Sequence, residues 1–300
     1  MNILNRSKDQ NILTSARLLL AGITLAGSLN AAPVKYDVVV ADSQATLYAV
    51  SLQTKHRVII AQNDKLNRPY DVARKSDGNI IVSDTGIPRI IQVSLTGQQT
   101  VIAEGSALGV PYGIDVDQQH NNLIYVANSQ AILCVAPDTG VVMVFAQGGL
   151  LQVPLDVAVG ADGNLYVADA VAGVVRINMA TKEQFALAQG QLLQTPTGIT
   201  TDGSHTAYVV DGGSHSVVAV DTQTGTQKSV SSAGYFVTPV GIALAAGAPM
   251  LVSDPDAFNL DGGVMTVAAD GTQTMFVRGS GDLVNARGIA LVPDFIDGKK

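Results

Sequence analysis

Apolar residues in this chain come in runs of four to six, each closed by glycine, aspartate or asparagine. Between residues 155 and 188, "LDVAV", "NLYVAD", "GVVRIN" and "EQFALA" follow one another with turn residues between them. Runs this short, rich in Val and Ile, read as β-strands rather than helices.

The runs form a repeat. "RPYDVARKSDGNIIVSD" (68–84) returns as "VPYGIDVDQQHNNLIYVAN" (110–128), "VPLDVAVGADGNLYVAD" (153–169), "TPTGITTDGSHTAYVVD" (195–211) and "TPVGIALAAGAPMLVSD" (238–254). The prolines stand at 69, 111, 154, 196 and 239, a period of 42 or 43 residues. A sixth start, "ARGIALV" (286–292), carries Ala286 in the proline position, 47 residues on. Four strands in a period of this length predict the blade of a β-propeller. The last unit keeps only its first strand, while the stretch 36–61 supplies a second, third and fourth. Joining the two ends completes a sixth blade and closes the ring. The expected architecture is an all-β, six-bladed propeller of four-stranded blades over residues 33–300.

The unit "VPLDVAVGADGNLYVADAVAGVVRI" resembles an NHL repeat, and the similarity runs over the whole chain after residue 32. The resemblance implies a fold that serves binding scaffolds, gluconolactonase-like lactonases and streptogramin-lyase-like metal enzymes, so it leaves the chemistry open.

Composition narrows the classes. The chain is 47% hydrophobic and 14% charged, with 30 Gly and no Trp, which supplies a large core and argues against disorder. Residues 1–32 read as a secretory signal: Arg6, Lys8 and Arg17, then "LLLAGITLAGSL" (18–29), then "NAAP". Those twelve apolar residues fall short of the ~20 that span a bilayer. The expected location is periplasmic or secreted. Removing the segment takes the formal charge from −7 to about −9, which disfavours nucleic acid and anionic lipid. Cys134, inside "AILCVA", is the single cysteine and reads as a core residue.

The first strand of each repeat is expected to line a central channel. By alternation, the second and fourth residues after the proline face it, and the third and fifth pack between blades. The channel set starts with Asp71, Gly113, Asp156, Gly198, Gly241 and Gly288, with Asp115 and Thr200 one layer deeper. The residues directly after the prolines stand at the mouth: Tyr70, Tyr112, Leu155, Thr197, Val240 and Arg287. Closure of the ring predicts an arc of Arg287, Tyr70 and Tyr112, suited to a peptide, a sugar or an anionic group.

A second ring closes the second strands: Asp42, Asp84, Asn128, Asp169, Asp211 and Asp254. These read as turn starters that bond nearby backbone, with Arg89 and Arg176 as ion-pair partners of Asp84 and Asp169. After Asp254 the sequence departs from its own period. "SDPDAFNLDGGV" (253–264) lengthens the turn and collects Asp254, Asp256, Asn259 and Asp261, a candidate site for calcium. Phe258 is expected to be exposed on it. The spacing misses the EF-hand pattern, because Phe258 stands at a ligand position and no glutamate follows.

Catalytic partners are scarce. The related lactonases and lyases use inner glutamate or histidine. Here the only glutamates are Glu104 and Glu183, in fourth-strand segments, and the four histidines fall in turns or outer segments. The preferred reading is a non-catalytic, monomeric module that binds a protein, peptide or small molecule at the channel mouth, with no resident cofactor. The candidate ligand contacts are Tyr70, Asp71, Tyr112, Asp115, Asp156, Thr197, Arg287 and Phe258. The alternative is a metal-dependent hydrolase or lyase with an Asp/Asn-bound cation near Asp71, Asp115 and Asp156.

Overall fold

The structure, a computed structural model, describes residues 35–244, 249–279 and 283–296. The expected signal segment lies outside them. Among the described residues, 24 strands form six four-stranded antiparallel sheets. Blade one holds β4 (Pro69–Arg74), β5 (Ile80–Asp84), β6 (Arg89–Val93) and β7 (Gln99–Glu104). Blade two holds β8 (Pro111–Asp117), β9 (Leu123–Asn128), β10 (Ala131–Val135) and β11 (Val142–Gln147). Blade three holds β12 (Pro154–Val159), β13 (Asn164–Asp169), β14 (Gly173–Asn178) and β15 (Gln184–Ala188). Blade four holds β16 (Pro196–Thr201), β17 (Thr206–Asp211), β18 (Ser216–Asp221) and β19 (Gln227–Ser232). Blade five holds β20 (Gly241–Ala243), β21 (Met250–Asp254), β22 (Gly263–Val267) and β23 (Gln273–Arg278). Blade six joins β24 (Ala286–Ile296) to β1 (Lys35–Asp42), β2 (Thr46–Val50) and β3 (Arg57–Gln62). This is the six-bladed propeller that the repeat predicts.

The ring closes as expected. β1 pairs antiparallel with β24, with Val39 opposite Ala290 and Val40 opposite Ile289. The Asp42 carboxylate reinforces the join by accepting the Asn285 amide at 3.0 Å.

Each seam between neighbouring blades has its own apolar cluster. Val39, Leu47, Val72, Ile80 and Val82 pack between blades six and one. Ala73, Ile90, Ile114, Ile124 and Val126 pack between blades one and two. A second strand is therefore covered on both faces, which is why Ile80, Ile81 and Val82 are apolar in succession and wholly buried. Each such side chain contributes roughly 2 kcal/mol by leaving water.

One expectation about the inner strands is corrected. The first strand of a blade is a sheet edge, so its unpaired backbone faces the channel and its side chains alternate between the two adjacent blades. Val72, third after its proline, packs toward blade six, while Ala73, fourth, packs toward blade two. Asp71, second, points to blade two, where its carboxylate reaches the Ile114 amide. Even positions thus meet the next blade and odd positions the preceding one. The glycines at the second position serve close approach: at Gly113 an added Cβ would overlap Asp156 of blade three.

No helix among the described residues is long and apolar enough to cross a membrane.

Candidate functional site

An inner edge strand leaves backbone N–H groups with no strand to pair with, and a narrow channel supplies little water in place of one. Three carboxylates fill that need. Asp71 accepts the amides of Val72 (2.8 Å) and Ile114 (2.9 Å). Asp115 accepts Val116 (2.7 Å) and Val159 (2.8 Å). Asp156 accepts Val157 and Ile199, both at 2.8 Å. Each acid spends one oxygen on its own strand and the other on the next blade, stapling blades one to four in sequence.

The remaining staples are hydroxyls. Thr197 Oγ1 donates toward the carbonyls of Pro239 (2.6 Å) and Val210 (3.1 Å), joining blades four and five. Ser253 accepts the Gly241 amide at 3.0 Å and donates to the Arg287 carbonyl of blade six. Ser83 accepts the Asp71 amide at 3.1 Å and donates to the Tyr112 carbonyl. Sequence reasoning missed both serines. Their signal is the "VSD" that ends the second strands of blades one and five, where the other described repeats carry Ala or Val before the ring residue.

These groups surround a central cavity of about 180 Å³, lined by Asp71, Asp115, Asp156, Thr197 and the inner strands. The carboxylates keep some surface on the cavity and are enclosed by protein elsewhere. Desolvation pushes Asp71 up to about 7, against the opposing bonds from Ile114 and Val72, with the Asp115 charge adding to the rise. Desolvation likewise raises Asp115 to about 6. Asp156 is raised well above the ordinary carboxylate range by burial first and by the Asp71 charge second.

The arc expected at the mouth is assembled. The Tyr70 and Tyr112 rings meet edge to face, centroids 5.2 Å apart at 68°. The Arg287 guanidinium stands 5.5 Å from the Tyr70 ring centroid. Burial pushes the Tyr70 phenol up to about 12; Arg287 opposes the shift, and Asp156 and Asp71 below add to it. The phenol therefore stays neutral and able to donate a hydrogen bond at every physiological pH. All three side chains are partly exposed, so the arc is open to a ligand.

The ring of acids is structural, as the turn reading has it. Asp84 accepts the amides of Asn67, Arg68, Gly86 and Ile87. Asp169 accepts those of Gln152, Val153, Val171 and Ala172. Each clamps the loop entering a blade to the turn after its second strand. The expected arginine pairs do not form. With the Asp84 and Asp169 oxygens filled by backbone, Arg89 pairs with Glu104 at 3.0 Å and Arg176 stacks over the Phe185 ring at 4.6 Å.

The long turn is present: eight residues (255–262) separate β21 from β22, against two to four at the equivalent turns. It does not gather a cation cage. Asp254 accepts the amides of Val237, Thr238, Asp256 and Ala257. Asp256 takes the Thr238 hydroxyl, Asp261 pairs with Arg278 Nε at 2.8 Å, and Asn259 points to solvent. Among the described residues no three of His, Cys, Asp or Glu converge as a metal site, the channel acids included. Phe258 is half-buried rather than exposed, because its ring packs 5.0 Å from that of Tyr235. Three successive left-handed residues, Phe258, Asn259 and Leu260, turn the chain so that Leu260 is the exposed one, at 72%.

The histidines stay off the inner strands. His56 meets Tyr36, His120 meets Asp117, and His215 meets the Val237 carbonyl, all in turns or loops between strands.

No protein-family model and no curated protein matches the chain. Among solved structures, 1248 chains match, so the likeness is to a widely used fold. One is a chain of the crystal structure of a nidogen/laminin complex, with a TM-score of 0.72 and 20% identity. The match covers 85% of this chain and 98% of that one. The fold is shared; at this identity nothing else follows.

Proposed function

We propose that the protein is a non-catalytic interaction module, exported as its N-terminal segment suggests, that engages a protein or peptide at the face carrying the channel mouth. The observation that carries this reading is the Arg287, Tyr70 and Tyr112 arc, held by ring packing at the opening of a small cavity. Two aromatic edges and a guanidinium offer apolar contact, hydrogen bonding and stacking to one side chain of a partner. The acids beneath favour binding over chemistry, since their oxygens already serve backbone amides. A nidogen/laminin complex is an assembly of proteins, which agrees with a recognition role for such a fold.

Immobilised wild type and Tyr112→Ala, exposed to periplasmic and secreted fractions of the producing cell, test the reading. The wild type is expected to retain a protein that the variant loses, with the two melting within about 2 °C of each other. Equal retention by both, or no protein retained by either, contradicts it.

A further inference from the structure

The outermost strand of every blade is a sheet edge, and an edge open to solvent invites another strand unless charge discourages it. Five of the six edges carry or adjoin such a charge: Arg57 in β3, Glu104 in β7, Lys182 and Glu183 before β15, Lys228 in β19 and Arg278 in β23. β11 has none. Its run "VVMVFA" (141–146) is uncharged and free of proline, the composition of a strand that pairs readily. Val141, Met143 and Val144 are each more than half exposed, at 52%, 53% and 54%.

The backbone is positioned for pairing. The Val141 carbonyl accepts the Ala136 amide at 3.0 Å and Met143 lies opposite Cys134, so the backbone N–H and C=O groups at alternate positions 141 and 143 are turned to β10. By the alternation of an antiparallel ladder, Val142 and Val144 then turn their N–H and C=O groups outward. Further along, the Lys182 ammonium of blade three donates to the Phe145 carbonyl at 3.3 Å and sits 3.6 Å from its ring centroid. That lysine closes one end, leaving Val141 to Val144 as the open stretch.

We infer that β11 pairs antiparallel with β11 of a second copy of this chain. Around a two-fold axis, an edge strand meets its own sequence reversed, so a charge on or beside the axis meets its own copy. Of the six edges, the uncharged one alone tolerates that arrangement in every register. A foreign strand would instead be selected by opposite charge, which β11 does not offer. The chain's formal charge of −7 also opposes self-association wherever acids meet, and β11 is a place where they do not. A stretch of four residues is about 13 Å long, and pairing along it alone buries far less than the roughly 1,200 Å² of a stable interface. The dimer is therefore weak and reversible, in place of the monomer expected from the sequence.

Sedimentation velocity on the purified protein, over a concentration series up to about 1 mM, decides this. Wild type and the control Met275→Lys, on the edge of blade five, are expected to move from monomer to dimer with concentration. Val144→Lys is expected to stay monomeric while melting like the wild type; Met143→Lys repeats the test should Val144→Lys melt lower. Four outcomes overturn the inference: a wild type monomeric throughout, a dimer that survives both β11 variants, a dimer lost equally in Met275→Lys, or open-ended growth without a dimer plateau.

Discussion

The Asp156 carboxylate of blade three accepts the Ile199 amide of blade four at 2.8 Å, and Asp115 and Asp71 make the same link one and two blades earlier. Half of the ring is held by carboxylates and the rest by hydroxyls or close backbone contact. That division has a consequence in solution.

Asp71 at about 7, Asp115 at about 6 and the raised Asp156 all lie above the ordinary carboxylate value. Protonating them favours the folded chain, so their stabilisation is complete below about pH 4 and is lost as pH rises through about 6 to 7. The turn acids Asp221 and Asp270 act oppositely: amides of Thr224 and Thr272 hold them below the usual range. Their stabilisation fades only as pH falls through those lowered values. The melting temperature is therefore expected to be at least about 3 °C higher at pH 5 than at pH 8. Asp156→Asn is expected to flatten that slope, whatever it does to the melting point itself. A scan that rises from pH 5 to pH 8 contradicts the assignment.

Asp169 is fully buried under four backbone amides. Asp169→Ala leaves them without an acceptor and is expected to cost at least about 3 kcal/mol. Asp261→Ala removes only a half-exposed pair with Arg278 and is expected to cost under about 1 kcal/mol. Urea unfolding of the two variants measures the contrast. Equal losses would mean that the ring is less structural than its hydrogen bonds imply.

At Gly288, on the seam between blades six and one, an added Cβ would overlap the Asp71 Cα and carboxylate. Backbone there cannot step aside without moving a blade. Gly288→Ala is expected to destabilise by about 2 kcal/mol or more, measured by thermal melting. Gly163→Ala makes a useful comparison, because nothing stands near its Cβ and any cost comes from its positive φ alone.

The turn after Asp254 has its carboxylates committed to backbone, to Thr238 and to Arg278. Millimolar calcium and excess EDTA are expected to leave the melting temperature unchanged to within about 1 °C. A ligand bound only by the folded state raises it in proportion to the logarithm of its concentration. A calcium-dependent rise would return the turn to the list of ion sites.

The blades were legible because packing between sheets demands β-branched residues at fixed spacing, and prolines mark five of the six inner strands. The arc of Arg287, Tyr70 and Tyr112 was legible as well, since consecutive blades set the two tyrosines side by side and ring closure brings Arg287 next to Tyr70. The direction of the inner side chains was not. Alternation says that Asp71 and Val72 point opposite ways, yet not that both ways lead to other blades. Ser83 escaped notice because one serine beside a conspicuous aspartate looks like part of a turn. Phe258 was misjudged because its burial depends on three left-handed residues and on Tyr235, more than twenty positions earlier.

A partner docked on the face carrying the channel mouth would lie within reach of side chains there. The most direct measurement is site-specific photocrosslinking in cells that make the protein. A photoreactive phenylalanine analogue replaces Leu155, beside Tyr112 at the mouth, or Gln118, in the exposed turn at the opposite end of the channel. A discrete, higher-mass adduct with another protein is expected from position 155 and none from position 118. No adduct from 155, or the same adducts from both ends, would contradict docking at the mouth.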